Sequence, residues 1–477
     1  MSGLSLIPTN LHDVQVEGRR MLFHVPTTSL FEMDDLGGDL LDLFRAEPVV
    51  TEELVRQRFD RRYPAEQVVE TIEDFLALEI VGNGGRARPA RAPVKIRNYP
   101  LSTMVLNVNT GCNLSCSYCY KEDLATPSQG EKMDFVTAVK AYELLLEEAK
   151  DRERVNLVFF GGEPLSNMAL IRQMVDYAER RGAEEGKQVD FSLTTNATLL
   201  TEEIIDYLDA HRFGVTISMD GPKALHDKHR KTVGGKGSYD AVAKKARLLL
   251  SRYRSRPVGA RVTLTRGVTD VVLIHHHLKN ELGFFEVGFS PVTSGDISLY
   301  NLAPGELSEV FGGMKVLGEL YVQAALRGEN TGFSNMHQLI TDLAEGTKKS
   351  LPCGAGVGLL AVDKDGGLNL CHRFTGSELE TFGDVDQGID KPRLGAFLED
   401  AQDKEGTVCA TCRIRNLCAG GCYHESYARF EDPQAPVLHY CTLMRDWVDF
   451  GIAAYSRIQK DNPGFIARHV EPRRVAS

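Results

Sequence analysis

From residue 101 onward the apolar positions keep changing their period. Short apolar runs at 103–109, 156–160, 190–194, 214–218, 259–264 and 286–290 read as strands. Between them, 134–150, 168–181, 201–210, 239–253 and 270–282 carry apolar residues at the spacing of helices buried on one side. Strand and helix alternating in this way predict an α/β fold with a parallel sheet curled into a partial (β/α)6 TIM-type barrel. In such a fold the strand-to-helix loops converge on one mouth, and that is where the chemistry is expected.

The chain before this region has a different texture. Strand-like runs at 21–25 and 29–33 are joined by a turn, and 37–44, 51–58 and 65–78 show helical periodicity, with Asp39, Thr51 and Pro64 where helix starts would fall. A strand pair followed by three helices is the outline of a winged-helix-like module, which serves DNA reading, peptide capture at a strand edge, or packing alone. Residues 84–99, with Arg86, Arg88, Arg91, Pro89 and Pro93, read as a linker. After the barrel, 304–327 reads as one long helix, and from residue 335 the texture is loop-rich. The expected division is therefore 1–95 for the recognition module and linker, 96–300 for the barrel, and 301–477 for a bridging helix, a cysteine-rich domain and a tail.

Composition narrows the functions. The 477 residues are 42% hydrophobic and 25% charged, as in a soluble globular protein, and 55 Lys plus Arg stand against 66 Asp plus Glu. The net charge of -11 argues against a general nucleic-acid surface and favours a peptide at the N-terminal module. No basic start leads into an apolar core, and no run of about eighteen apolar residues occurs, so a cytoplasmic protein without a membrane span is expected. The ten cysteines are then expected to be reduced and to serve as ligands rather than disulfides.

Those cysteines fall into two groups. Cys112, Cys116 and Cys119 follow the first barrel strand at Cys-x3-Cys-x2-Cys spacing. Three thiolates on a four-iron cluster leave one iron open to a substrate or cosubstrate; a zinc knuckle or three unrelated cysteines fit the same spacing. The second group is Cys353, Cys371, Cys409, Cys412, Cys418, Cys422 and Cys441. It holds only one Cys-x2-Cys pair, which favours iron-sulfur over a zinc ribbon. Gly161-Gly162-Glu163-Pro164 follows the second strand; its glycines would let backbone approach a ligand, and Glu163 offers a carboxylate to an ammonium group, although a tight turn would need the same residues. Asn196, Ser218 and Asp220, at the ends of the third and fourth strands, can bind hydroxyls or simply cap helices. Arg230 can pair a carboxylate or lie on the surface. His275, His276 and His277 sit in a predicted helix, where consecutive side chains diverge and cannot share an ion.

Together, the three-cysteine loop, the Gly-Gly-Glu-Pro loop and the strand–helix repeats resemble the radical S-adenosylmethionine enzymes, and the seven later cysteines resemble the SPASM extension of peptide- and protein-modifying members. The resemblance spans about residues 100 to 445. It implies three 4Fe-4S clusters and S-adenosyl-L-methionine. Cys112, Cys116 and Cys119 would hold the first cluster. Tyr118 would lie beside the adenine, Gly162 and Glu163 near the amino group, Ser218 and Asp220 near the ribose, and Arg230 near the carboxylate. Cys409, Cys412, Cys418 and Cys441 would hold an outer auxiliary cluster, and Cys353, Cys371 and Cys422 an inner one. The family often has a further cysteine between Cys353 and Cys371, and this chain has none, so the inner cluster would be open or closed by another residue. His372 is the candidate acceptor for a substrate proton. The layout is most similar to maturases that join Cys sulfur to Asp or Glu methylene carbons in the small subunit of quinohemoprotein amine dehydrogenase. Sulfatase maturases that make formylglycine and maturases of six-cysteine peptides are the neighbouring alternatives, and a non-catalytic iron-sulfur peptide scaffold is a third. An electron donor such as flavodoxin or ferredoxin is implied as a partner.

Overall fold

The computed structural model describes residues 3–83, 101–120, 129–293 and 297–470; the predicted linker at 84–99 lies outside them. The N-terminal unit is built from strands β1 (Leu4–Leu6), β2 (Leu11–Val16), β3 (Arg19–His24) and β4 (Ser29–Glu32), helices Asp35–Ala46, Glu52–Phe59 and Ala65–Ala77, and strand β5 (Val81–Asn83). β2, β3 and β4 form an antiparallel meander, while β1 pairs with β5 and so ties the two ends of the unit together. The first helix is capped by Asp34, which accepts from Gly37 N at 2.7 Å. Asp39, expected at that start, lies one turn inside, where it accepts from Tyr63 Oη at 2.7 Å and pairs with Arg62 at 2.7 Å. The paired glycines Gly37 and Gly38 hid the true start; a Cβ on Gly37 would come within 2.9 Å of Met33 Cε.

β3 serves two cores by simple alternation. Leu22 packs with the helices of its own unit, whereas Met21 and Phe23 join the main core of the chain. The hairpin thus docks on the C-terminal helix Cys441–Asp461, where His12 Nε2 lies 2.9 Å from Asp449 Oδ1 and Arg19 donates to Ser456 Oγ at 3.2 Å.

The expected α/β barrel sheet is present. Strands β6 (Thr103–Asn109), β7 (Arg154–Gly161), β8 (Gln188–Thr195), β9 (Gly214–Ser218), β10 (Gly259–Leu264) and β11 (Glu286–Pro291) lie side by side in chain order, all parallel. Their alternate residues, Leu157 and Phe159, Phe191 and Leu193, Val215 and Ile217, and Val262 and Leu264 among them, pack against the helices. The opposite face is small and polar, with Thr194, Thr216, Ser218, Gly259, Thr263 and Gly288 lining a cavity. A closed barrel fills its interior with bulky branched side chains; here small residues leave the interior open.

Both sheet edges are covered by later parts of the chain. β12 (Leu359–Val362) adds in parallel beside β6, followed by antiparallel β13 (Leu368–Asn369). At the β11 edge, one side chain stands in for a strand: Asn335 Oδ1 accepts from Phe289 N at 2.9 Å and Asn335 Nδ2 donates to Phe289 O at 3.0 Å. The region expected to be loop-rich contains helix Ser334–Ala344 and the long helix Cys441–Asp461. The latter packs on Pro304–Leu326, where Gly318 makes room for the Phe450 ring and Arg457 grips Glu319 at 2.7 and 2.9 Å. Among the described residues no helix is long and apolar enough to cross a membrane.

Candidate functional site

The cysteine loop leaves the end of β6 and is fastened on both sides by backbone. Ser115 N donates to Lys231 O at 2.7 Å, Ser117 N to His229 O at 3.1 Å, and Cys119 N to Cys116 O at 3.0 Å. Across the loop, Gly162 N donates to Asn109 O at 2.6 Å and Glu163 N to Gly111 O at 3.0 Å. The two glycines are required here by the loop itself. A Cβ on Gly161, whose φ is +140°, would lie 2.2 Å from Asn109 O, and one on Gly162 would lie 2.0 Å from Gly111 O.

Glu163 is 1% exposed and sits behind this loop. Thr195 Oγ1 at 2.6 Å and Leu165 N at 3.1 Å donate to one carboxylate oxygen, and Asn196 N at 2.8 Å donates to the other. Burial raises its pKa against the pull of these donors. The carboxylate therefore holds the third strand end, and Asn196, so oriented, directs Nδ2 at Asn113 Oδ1 (3.0 Å) and toward Cys112 Sγ (3.6 Å). Thr195 is a member of this set that the sequence had shown only as a strand end.

Tyr118, Asp220 and Arg230, from three separate loops, form one buried chain. Tyr118 Oη donates to Asp220 Oδ2 at 2.6 Å, Arg230 Nη1 donates to Tyr118 Oη at 2.6 Å, and Asp220 Oδ1 accepts from Thr263 N at 3.0 Å. Burial raises the Asp220 pKa, and Arg230 counters it. The arrangement fixes the position of the aromatic ring before Cys119 and leaves Arg230 Nε buried with no hydrogen-bond partner among the described residues.

A cavity of about 480 Å³ runs from the cysteine loop across the barrel interior. Cys112, Cys116, Cys119, Tyr118, Gly162, Asn196, Ser218 and Arg230 line one end, and His372 and Arg373, just after Cys371, line it as well. The His372 ring lies on Phe160 with centroids 4.2 Å apart. The sequence reading did not mark Arg261, Arg373 and Tyr120, which also face this space. In the histidine run, buried His277 bonds Tyr239 Oη at 2.8 Å and Glu281 at 2.7 Å, exposed His276 lies 3.4 Å from the same Glu281, and His275 is buried.

The donor set fits iron-sulfur ligation. Burial pushes the thiol of Cys112 up to about 11 and that of Cys116 up to about 12, so neither site favours a free reactive thiolate, whereas metal binding deprotonates such thiols. The later cysteines, far apart in sequence, gather in the folded chain. Cys353 lies within electrostatic reach of Cys422, and Cys371 of both. Cys418 lies within reach of Cys409 and Cys412, and Cys441 of all three. A space of about 310 Å³ opens among Cys353, Cys409, Cys412, Cys418, Cys422 and Cys441. Among the described residues no three His, Cys, Asp or Glu side chains converge at single-ion spacing.

Residues 106–276 match the Radical SAM superfamily. The chain is similar to the cysteine-type anaerobic sulfatase-maturating enzyme of Clostridium perfringens (24% identical; 74% of this chain, 96% of the relative). It is also similar to the serine-type anaerobic sulfatase-maturating enzyme of Klebsiella aerogenes (25%; 70% and 82%). In three dimensions it resembles anSMEcpe with bound AdoMet and Cp18Cys peptide (TM-score 0.63, 22% identical, 76% and 98% covered). It resembles Streptococcus suis SuiB bound to precursor peptide SuiA more distantly (TM-score 0.50, 14%, 91% and 98%).

Proposed function

We propose that this chain, whose residues 106–276 belong to the Radical SAM superfamily, is a peptide maturase: an oxidoreductase that forms thioether crosslinks within a bound polypeptide, from a Cys sulfur to an Asp or Glu methylene carbon. The observation that carries the reading is the shared cavity. The three-cysteine loop and the His372–Arg373 segment that follows Cys371 face the same space, so a substrate side chain there lies between the first cysteine loop and the segment beside the second group. The substrate the reading favours is the small subunit of quinohemoprotein amine dehydrogenase, and a flavodoxin or ferredoxin is the electron donor.

Cys112, Cys116 and Cys119 would hold the first 4Fe-4S cluster, and Cys353, Cys371 and Cys422 with Cys409, Cys412, Cys418 and Cys441 would hold two more. When bound, S-adenosylmethionine and the clusters supply a carbon radical and an electron acceptor. The protein's own part is placement. Tyr118, held by Asp220 and Arg230, would take the adenine; Gly162, with Glu163 behind its loop, would take the amino group; Asn196, Ser218 and Asp220 would serve the ribose, and Arg230 the carboxylate. His372 takes the thiol proton as the carbon–sulfur bond forms; each link removes two hydrogens from the polypeptide.

Tandem mass spectrometry of the subunit coexpressed with and without this protein tests the reading: each link is expected to lower the mass by two hydrogens, consume a thiol and join two residues. The second reading, oxidation of one Cys or Ser to formylglycine, is favoured by the similarity to sulfatase-maturating enzymes. It would leave an aldehyde and no link. Absence of any reductive cleavage of S-adenosylmethionine would instead leave an iron-sulfur scaffold.

A further inference from the structure

The barrel interior holds two guanidinium groups whose charge the surrounding protein leaves largely uncompensated. Arg261 projects from β10 into the cavity, and Arg373 faces the same space from the segment after Cys371. Arg261 Nη2 donates to Ser290 Oγ at 2.7 Å; Arg373 donates to Thr293 Oγ1 and lies over the Tyr120 ring at 5.3 Å. Among the described residues neither makes an ion pair, and they lie close enough to repel one another. The carboxylates in electrostatic reach are Glu286 for Arg261 and Glu425 for Arg373. Glu425 is already engaged by Tyr440 at 3.2 Å, Arg429 at 3.4 Å and His439 at 3.5 Å.

Space has been cleared for these groups. A Cβ on Gly288 would lie 3.0 Å from Arg261 Nη1 and 2.7 Å from Ser334 Oγ, and one on Gly259 would lie 3.1 Å from Glu286 Oε1. Arg261, Glu286 and Ser334 also line a second cleft of about 570 Å³ at the covered β11 edge, walled by Phe311, Met314, Met444 and Trp447. The cleft and the cavity therefore meet at Arg261. Arg261 is exposed within the open cavity that Arg373 also lines, so both forks of N–H donors are free to receive a carboxylate, whose geometry they match.

We propose that Arg261 and Arg373 form a clamp for a side-chain carboxylate, the Asp or Glu of the polypeptide substrate, which enters along the β11 edge and is held with its methylene carbons in the cavity. This rests on the maturase reading and adds to it the residues that select an acidic partner. Arg230, tied to Tyr118 and Asp220, is a separate group.

The test uses reconstituted holoenzyme with S-adenosylmethionine bound, titrated anaerobically with N-acetyl-L-aspartate N-methylamide and with its asparagine counterpart. Binding is read from the fluorescence of Trp447, the single tryptophan, which lines the cleft. The aspartate probe is expected to bind at least about 10-fold more tightly than the asparagine probe. Arg261→Gln and Arg373→Gln are each expected to abolish that preference, and Arg261→Lys to retain part of it, while the Kd for S-adenosylmethionine stays within about 2-fold. Equal binding of the two probes, or no saturable binding of the aspartate probe, overturns the proposal without recourse to any variant. So does a loss of about 10-fold or more in S-adenosylmethionine affinity in Arg261→Gln, because the arginine would then hold the cosubstrate. Failure of the crosslinking reading looks different: the aspartate probe still binds selectively, and no linked product forms.

Discussion

The two cysteine regions reach comparable ends by opposite routes. Cys112, Cys116 and Cys119 occupy one short loop, so local sequence sets their spacing, and distant backbone at Lys231 and His229 only fastens the loop in place. The seven later cysteines extend from residue 353 to 441 and meet only because strands, helices and the N-terminal unit bring them together. A local site tolerates distant change and fails at its own residues. A site assembled by tertiary contacts fails wherever its scaffold does.

The sharpest way to break this comparison is to remove one cysteine from each region. Cys116→Ala is expected to lower 5′-deoxyadenosine formation by at least about three orders of magnitude, since the loop loses a ligand that nothing nearby replaces. Cys409→Ala is expected to keep that activity while losing about four irons per chain and the crosslinked product. Equal loss of 5′-deoxyadenosine in both variants, measured by chromatography with iron analysis, would mean that the regions are not independent. A smaller effect is expected at Tyr118→Phe. Asp220 and Arg230 lose their shared hydroxyl in a buried setting, which costs about 1–3 kcal/mol and lowers kcat/KM for S-adenosylmethionine cleavage by about 10- to 100-fold. An unchanged value would show that the ring alone, without its hydroxyl chain, positions the loop.

What could be read from the sequence follows the same division. Strands β6 to β11 were legible as short apolar runs, and in β8 to β11 apolar residues toward the helices alternate with small or polar ones toward the interior. The three-cysteine loop was legible from its spacing. β12 and β13 were not, because short segments carry little periodicity and β12 finds its partner at Thr103–Leu106, far back in the chain. The grouping of Cys353, Cys371 and Cys422 apart from Cys409, Cys412, Cys418 and Cys441 could be stated only from a family resemblance, because spacing alone does not say which loops will meet. Arg261 was overlooked for a related reason: an arginine on a strand is ordinary until the sheet curls and turns it inward. Glu163 offers the opposite lesson. The sequence marked it as a carboxylate for a ligand's ammonium group, and the structure engages it first with Thr195, Leu165 and Asn196.

The smallest effect is expected where the N-terminal unit braces the assembled region. Asp449 joins His12 of that unit, at 2.9 Å, to Arg413 beside Cys412, at 2.7 Å. Burial alone would raise its pKa, but the hydrogen bonds from His12 and Arg413 outweigh burial and hold it below the ordinary aspartate value. A depressed carboxylate pKa stabilises the fold above that ordinary value, and the stabilisation is lost as pH falls through the depressed range. Asp449→Asn is therefore expected to cost about 1–2 kcal/mol at pH 7, allowing for partial solvent screening, and progressively less as the solution is acidified below the usual carboxylate range. Urea unfolding of wild type and variant across that range measures the difference directly. Because Arg413 adjoins Cys412, the variant should also release auxiliary iron to a chelator faster at pH 7 while iron at Cys112, Cys116 and Cys119 is retained; equal release from both regions would remove the distinction between a local site and an assembled one.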